Sequence, residues 1–285
     1  MLYQQPDFDP LQPHMITIPA GPFLMGSNPR EIRQLSQTTS SSRLEWYARE
    51  QPIQTPVLPD FQIGRYPVTV GEFTAFIAAG GYENPAFWDK TGWQWRIRNG
   101  IDGPEYWHDS RWTGQPDYPV IGVSWYAAQA YCAWLRSTTG LPYRLPTEVE
   151  WEKAARGADG RRYPWGDTWK SDHCNTAAKA PDSWDSPAAE SIRRGPTRVG
   201  AYSPRGDSPY GCADMAGNVW EWCQSPLRRY PLPPESLAPG QNSSTEPRIV
   251  RGGSWYHGPD DARCAARYCY YPHGRDNVVG FRLAL

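Results

Sequence analysis

The sequence predicts an α+β fold gathered into one compact unit. Three observations predict it. Helix signals are confined to the stretch before Gly157, and the remainder of the chain reads as short strands and loops. No strand–helix–strand alternation recurs, which argues against a parallel α/β sheet. Finally, 15 Trp and 17 Tyr accompany 30 Pro and 26 Gly. An aromatic core is therefore expected inside a chain that turns often. Disorder is the other reading of so much Pro and Gly, but disordered chains are poor in aromatics.

The elements come in this order. Residues 1–14 are polar and Pro-rich and read as an arm; residues 15–285 form the domain. Met15 to Gly26 alternates and then turns at Gly and Pro, which predicts a hairpin. Residues 27–56 read as a long loop holding the hydroxyl-rich run Thr38 to Ser42, with a short helix near Leu44–Arg49. Val57 to Gly64 reads as a strand. Thr69 caps a helix to about Ala79 that gathers Phe73, Phe76 and Ile77 on one face and stops at Gly80-Gly81. Residues 82–120, with Trp88, Trp93, Trp95, Trp107 and Trp112, read as irregular. Ser124 caps a second helix, in which Ala127, Ala130, Tyr131, Trp134 and Leu135 recur at helical spacing up to Gly140. Thr147-Glu-Val-Glu150 is a capping box that opens a third, ending at Gly157. Residues 170–195 and 228–247, rich in Ser, Pro and charge, look like insertions.

Bulk properties exclude several classes. A net charge of −1 gives no electrostatic case for nucleic acid. Mean hydropathy is −0.70, and no apolar run approaches the roughly 18 residues a membrane helix needs. The N-terminus has neither a basic start nor an apolar stretch, so it does not read as a signal peptide. A cytoplasmic monomer is the default expectation, with surface display by another route left open. The six cysteines (132, 174, 212, 223, 264 and 269) form no CxxC pair, and reduced thiols are expected.

The C-terminal segment 251–285 is the most informative. Blocks that look fixed (Arg251-Gly-Gly-Ser-Trp255, Arg263-Cys-Ala-Ala-Arg267, Val279-Gly-Phe-Arg-Leu-Ala-Leu285) alternate with patches. The patch residues are Tyr256, His257, Gly258 and Asp261, then Tyr268, Cys269, Tyr270 and Tyr271, then His273, Gly274, Asp276 and Asn277. Each has a codon that matches an Asn codon or departs from it only in the first two bases. Tyr, Gly, Asn and Asp are also the residues of adaptable binding loops. The expectation is a diversified surface that binds a protein or other macromolecular ligand; the alternative is a Tyr-rich loop of chance composition.

Ile18-Pro-Ala-Gly-Pro-Phe-Leu-Met-Gly26, Pro119-Val-Ile-Gly-Val-Ser-Trp125 and Tyr143-Arg-Leu-Pro-Thr-Glu-Val-Glu-Trp151 occur in order, followed by Gly217-Asn-Val-Trp-Glu-Trp222, Arg251-Gly-Gly-Ser-Trp255 and Gly280-Phe-Arg282. Over residues 15–285 the chain resembles the formylglycine-generating-enzyme (sulfatase-modifying factor) domain family. The resemblance implies a C-type-lectin-like fold, rich in loops, with few helices and short antiparallel strands. Family enzymes use two cysteines, five positions apart after Gly-Gly-Ser, to bind copper and oxidise a substrate cysteine. Here His257 stands at the first position and the second is lost with a shortened loop, so no copper is expected. Cys264 and Cys269 could form a displaced pair, although a buried structural Cys264 is the better reading. A second enzyme branch, the ergothioneine-type sulfoxide synthases, needs an iron-binding histidine cluster from an additional helical domain, and histidines 14, 108, 173, 257 and 273 show no ligand spacing. The resemblance is nearest to the variable proteins of diversity-generating retroelements, which implies binding without catalysis. The alternative is an oxidoreductase acting on a thiol or peptide cysteine.

The resemblance also implies a Ca²⁺ held by the side chains of Asp214 and Glu221 and the carbonyls of Gly217 and Val219, consistent with oxygen-only ligands. The alternative is a buried ion pair of Glu221 with an arginine. A second calcium site would begin at Asn175 and Thr176, with its partner carboxylate in the 180–195 stretch. Arg144, Arg156, Arg251, Arg263 and Arg267 are expected in scaffold ion pairs.

Overall fold

A computed structural model describes residues 9–37, 41–177, 195–239 and 245–285. Strand β1 (Met15–Ile18) and the two-residue β2 (Gly21–Pro22) lead into helices α1 (Pro29–Gln37) and α2 (Ser41–Ala48). Strands β3 (Val57–Leu58) and β4 (Phe61–Gly64) come next, then α3 (Val70–Ala78), α4 (Lys90–Asn99), α5 (Ser110–Thr113), α6 (Trp125–Thr139) and α7 (Glu148–Arg156). The C-terminal half holds β5 (Trp220–Pro226), β6 (Arg248–Arg251), β7 (Arg267–Tyr270) and β8 (Val279–Phe281).

Helices α3, α6 and α7 lie where their caps place them. Thr69 Oγ1 accepts the Glu72 backbone N–H at 3.2 Å and Thr147 Oγ1 that of Glu150 at 3.3 Å. In both cases the glutamate reaches back to the cap backbone N–H, at 2.7 Å, so two otherwise unpaired donors are satisfied at each N-terminus. Ser124 Oγ does the same for Ala127 N–H at 3.1 Å.

Several expectations are corrected. Met15 to Gly26 is not a hairpin: β1 pairs antiparallel with β4, and β2 with β3. The expected strand 57–64 is split at Pro59-Asp60, because proline has no N–H to give a ladder. The loop 27–56 contains α1, capped by Asn28 Oδ1, which accepts the Arg30 and Glu31 N–H groups at 3.0 and 2.9 Å. The irregular 82–120 contains α4, whose N-cap Asp89 accepts from Gly92 N–H and whose C-cap Gly100 is left-handed. The runs Thr38–Ser40, 178–194 and 240–244 lie outside the described residues.

The largest sheet has the order β7-β6-β5-β8, antiparallel except for β5 with β8. The principal core packs α3 and α6 against β5 and β8, with Phe73, Tyr131, Trp222 and Phe281 all fully buried. A second core joins β4 and α7 to β6 through Ile63, Trp151 and Ile249. Between them runs a lattice of buried arginines and carboxylates. Glu148 accepts from Arg267 at 2.6 and 2.8 Å. Glu152 accepts from Arg156 at 2.8 Å and also pairs with Arg251. Glu150 holds Arg144 at 2.7 Å on both oxygens, and Glu50 holds Arg263 at 2.7 and 2.8 Å. The five arginines expected in scaffold pairs are all found there. The spacing of Glu148 and Glu152 sets both on one face of α7, so a single helix anchors the C-terminal segment.

Candidate functional site

After β6 the chain turns sharply at Gly252-Gly253. Gly253 has φ +75°, and a Cβ there would lie 2.9 Å from the Asp261 carbonyl oxygen; only glycine suits both demands. The turn buries Ser254 and Trp255 and brings Tyr256 and His257 beside Trp220, the first residue of β5. Strand β7 then presents Tyr268 and Tyr270 from the other side, and Asp276 and Asn277 close the end.

These residues line a cleft of about 490 Å³. Helix α2 supplies its remaining wall through Trp46 and Tyr47. Trp46 stacks on Tyr268, centroids 4.3 Å apart, and carries the Arg49 guanidinium over its ring at 3.9 Å. Tyr47 donates its hydroxyl to Asp260 at 3.2 Å. Tyr268 and Tyr270 meet edge to face at 5.1 Å. Burial, and then the Asp276 carboxylate, push the Tyr270 hydroxyl well above its ordinary range, so it stays a neutral donor. His257 Nδ1 lies 2.7 Å from Ser254 Oγ and accepts the Trp220 indole N–H at 3.3 Å. Arg267 reaches the lining but is bound to Glu148 and to the Arg49 and Arg228 carbonyls. The cleft is thus aromatic, with carboxylates at Asp261 and Asp276.

The sequence-predicted contact residues divide. Tyr256, His257, Asp261, Tyr268, Tyr270, Asp276 and Asn277 line the cleft. Tyr271, 60% exposed, stacks with exposed His273 at 5.8 Å outside it. Gly274 sits half-buried, its Cβ direction toward Tyr270. Gly258 is buried, and Cys269 is half-buried, opposite Ile249 in the β6–β7 ladder. Gly258, Cys269, Tyr271, His273 and Gly274 therefore stand outside the cleft lining. Sequence reasoning missed Trp46 and Tyr47 on α2, as well as Trp220 and Trp255. The adjacent aromatics at 46–47 in a charged stretch were the one signal, but their distance in sequence concealed their partner.

The calcium expectation meets a different arrangement. Both Glu221 oxygens accept from Arg282, at 2.5 and 2.6 Å, and Oε2 also accepts the Trp151 indole N–H at 2.6 Å. A guanidinium so placed occupies the carboxylate that a Ca²⁺ would need. Asp214, at φ +56°, turns its carboxylate onto the Gly200 N–H at 2.6 Å, and burial pushes it up to about 7. Gly217, where a Cβ would collide with the Asn175 carbonyl oxygen, gives its N–H to Gly252 O at 2.7 Å. The set Asp214, Gly217, Val219 and Glu221 therefore does not fit Ca²⁺ in this arrangement; the buried ion pair left open by the sequence is what Glu221 makes. At the second calcium site, Asn175 gives its carbonyl to Asn218 N–H at 2.8 Å; residues 180–194 lie outside the described residues. No group of three or more His, Cys, Asp or Glu converges as a metal site among the described residues.

Cys264 is fully buried, and burial pushes its thiol up to about 12. Burial also raises Cys269. Neither thiol lines the cleft.

The model of the sulfatase-modifying factor enzyme 1-like domain, the FGE-sulfatase family, matches residues 4–285. The chain belongs to this family. It is 35% identical over 290 residues to the hercynine oxygenase of Mycolicibacterium smegmatis, covering 94% of this chain and 60% of that protein. It is 32% identical over 305 residues to the formylglycine-generating enzyme of Thermomonospora curvata, covering 95% and 92%. The chain thus spans only about three-fifths of the hercynine oxygenase it matches. Among solved structures, PvdO from Pseudomonas aeruginosa is 26% identical with a TM-score of 0.68, covering 97% and 96% of the two chains. Treponema denticola variable protein 1, at 22% identity and a TM-score of 0.63, covers 95% and 94% and shares the fold. The α+β, loop-rich fold of the FGE-sulfatase family is therefore the fold of this chain.

The comparisons overturn one reading. A non-catalytic binding protein was expected, yet the relatives named hercynine oxygenase and formylglycine-generating enzyme are enzymes, which favours the alternative of an enzyme. The likeness to a variable protein extends to fold only.

Proposed function

We propose that this FGE-sulfatase chain serves an oxygen-dependent oxidoreductase and binds its substrate in the aromatic cleft, the substrate being a small zwitterion with a quaternary ammonium group, as in hercynine, the trimethylammonium form of histidine. The observation that carries the reading is the lining itself. Trp220, Trp255, Tyr256 and Tyr270 surround a space that also faces Asp276. Aromatic faces attract a quaternary ammonium through the ring quadrupole, each contact worth about 0.5–2 kcal/mol. Such a cation has no N–H to satisfy and is cheaply desolvated. The resemblance to hercynine oxygenase over 94% of the chain supports the same substrate class.

In this reading the chain's residues bind and orient. The aromatic walls hold the cation, Asp276 balances its charge, and the stacked Trp46–Tyr268 pair shields the site from water. The described residues offer no group of three or more His, Cys, Asp or Glu that could hold a metal ion. Oxidation of a peptide cysteine by a copper-thiolate pair is the poorer reading, because Cys264 and Cys269 do not line this cleft.

Calorimetric titration tests the proposal. Hercynine is expected to bind at least tenfold more tightly than histidine, and Tyr270→Ala to weaken hercynine by more than it weakens histidine. Equal affinity for the two, or no binding of either, would sink the reading.

A further inference from the structure

We propose that Asn277 is a specificity-determining residue whose side-chain amide hydrogen-bonds the imidazole ring of the substrate, an inference that rests on the cleft being the substrate site. The backbone that carries it is fixed. The Asn277 carbonyl accepts the Trp255 indole N–H at 3.3 Å. On one side the Asp276 carbonyl accepts the Gly122 and Val279 N–H groups, at 3.1 and 3.2 Å; on the other the Val278 carbonyl accepts the Trp220 backbone N–H at 2.8 Å. Asn277 is half-buried and lines the cleft. Its amide meets no hydrogen-bond partner among the described residues.

A polar group in that position is costly to strip of water unless the ligand answers it. Its neighbours in the lining cannot do so. The Trp255 indole N–H is engaged with the Asn277 carbonyl, and the Trp220 indole N–H with His257 Nδ1 at 3.3 Å. Arg267 is bound to Glu148 and to the Arg49 and Arg228 carbonyls. A ligand that fills the cleft must therefore bring its own partner for the amide.

The choice of an imidazole comes from the chemistry of the amide. A neutral imidazole carries one N–H donor and one bare nitrogen acceptor, and a primary amide carries an acceptor oxygen and an NH₂ donor on separate atoms. A half-turn about the terminal torsion exchanges those two atoms, so the amide meets either ring nitrogen in either tautomer. A trimethylammonium group has no N–H to offer the amide oxygen. A carboxylate would accept from the NH₂ alone, and it would lie beside Asp276, next in the chain and in the same lining, where like charges repel. A neutral ring meets no such opposition. A site built to hydrogen-bond one ring rejects an analogue that lacks the polar atoms.

The test compares hercynine with N,N,N-trimethylphenylalanine, which keeps the cation and the carboxylate but has no polar atom in its ring. Asn277→Leu is expected to lower the ratio of the two affinities, hercynine over the phenylalanine betaine, on the order of tenfold. The phenylalanine betaine should still bind this variant, which reports intact aromatic walls. Asn277→Gln, which keeps the amide on a longer stem, should recover part of the ratio. N,N,N-trimethylhistamine, which keeps the imidazole and lacks the carboxylate, tests the other end: the preference for hercynine over it should be the same in wild type and Asn277→Leu. A ring preference unchanged in Asn277→Leu, or a carboxylate preference lost in its place, overturns the proposal. A second readout needs only the wild-type fold. In nitrogen-15 NMR the Asn277 side-chain amide is expected to shift with hercynine and far less with the phenylalanine betaine, and equal shifts overturn the contact. If the wild-type chain binds neither betaine, the substrate reading fails and this inference with it. If it binds both and the ratio survives Asn277→Leu, this inference alone fails.

Discussion

Asp214 shows how much one side chain can depend on its surroundings. Its carboxyl is buried, and burial outweighs the Gly200 N–H and the nearby Arg282 to push it up to about 7. In the unfolded chain the group would titrate near the ordinary value of about 4. The folded state thus holds the proton more tightly between those limits. The stabilisation is complete below about pH 4 and is lost as pH rises through about 7. Asp214→Asn removes this dependence. The variant is expected to gain stability relative to wild type on going from pH 4 to pH 8, by a few kcal/mol at most, as read from denaturant midpoints at each pH. A wild-type and variant difference that stays flat over that range would show that Asp214 ionises normally. The charge of Asp214 was not legible in the sequence, because Gly200 and Arg282 reach it from distant segments. Glu221 was legible only as two alternatives, and the Arg282 contact decided between them.

At the scale of elements, α2 is a wall of the cleft because Glu50, just beyond it, is clamped by Arg263. Both partners are buried, and Ser27 Oγ also reaches the Glu50 carboxylate, at 2.5 Å. Removing one partner of such a pair leaves the other charge buried and unpaired, which costs about 3–5 kcal/mol. Glu50→Gln is expected to lower stability by that order in urea unfolding. Adding Arg263→Met should restore part of the loss, since the orphaned charge is then gone; a double variant no better than the single would show that the pair's packing, and not its charge, is what matters. The helices found from sequence were those with a hydroxyl cap and an apolar face: α3, α6 and α7. Helix α4 escaped because its signals, Asp89 and Gly100, flank a run containing Gly92 and tryptophans without a clear apolar stripe. Helix α1 escaped because it buries only Leu35 among its assigned side chains. The ladder of β1 with β4 escaped for another reason: strands so far apart along the chain carry no local mark of their partner.

The whole molecule is closed by its last residues. Strand β8 runs parallel to β5, Val68 N–H donates to Phe281 O at 2.8 Å, and Gly64 N–H donates to Leu283 O at 2.8 Å. Ala284 exchanges backbone bonds with Arg144, at 2.8 and 2.9 Å, and Arg282 neutralises Glu221 in the interior. A chain shortened to end at Val278 is expected to show no cooperative thermal transition by circular dichroism; a sharp transition near that of the full chain would make β8 an accessory. The family was legible in the sequence because its motifs are these scaffold blocks, which carry the caps, turns and buried ion pairs of the fold. Function was not, because the loss of the cysteine pair and the lack of histidine ligand spacing in the chain were taken together as the loss of catalysis. The relatives named as hercynine oxygenases show that the conclusion was too broad. The closing strand also sets an order of events during translation. Residues 62–68 and 144 leave the ribosome long before residues 281–285, their partners, have been made. Until then the front of the protein waits with open backbone groups and exposed aromatic rings. Folding of these earlier segments is therefore expected to lag behind their synthesis until β8 and the residues after it have emerged.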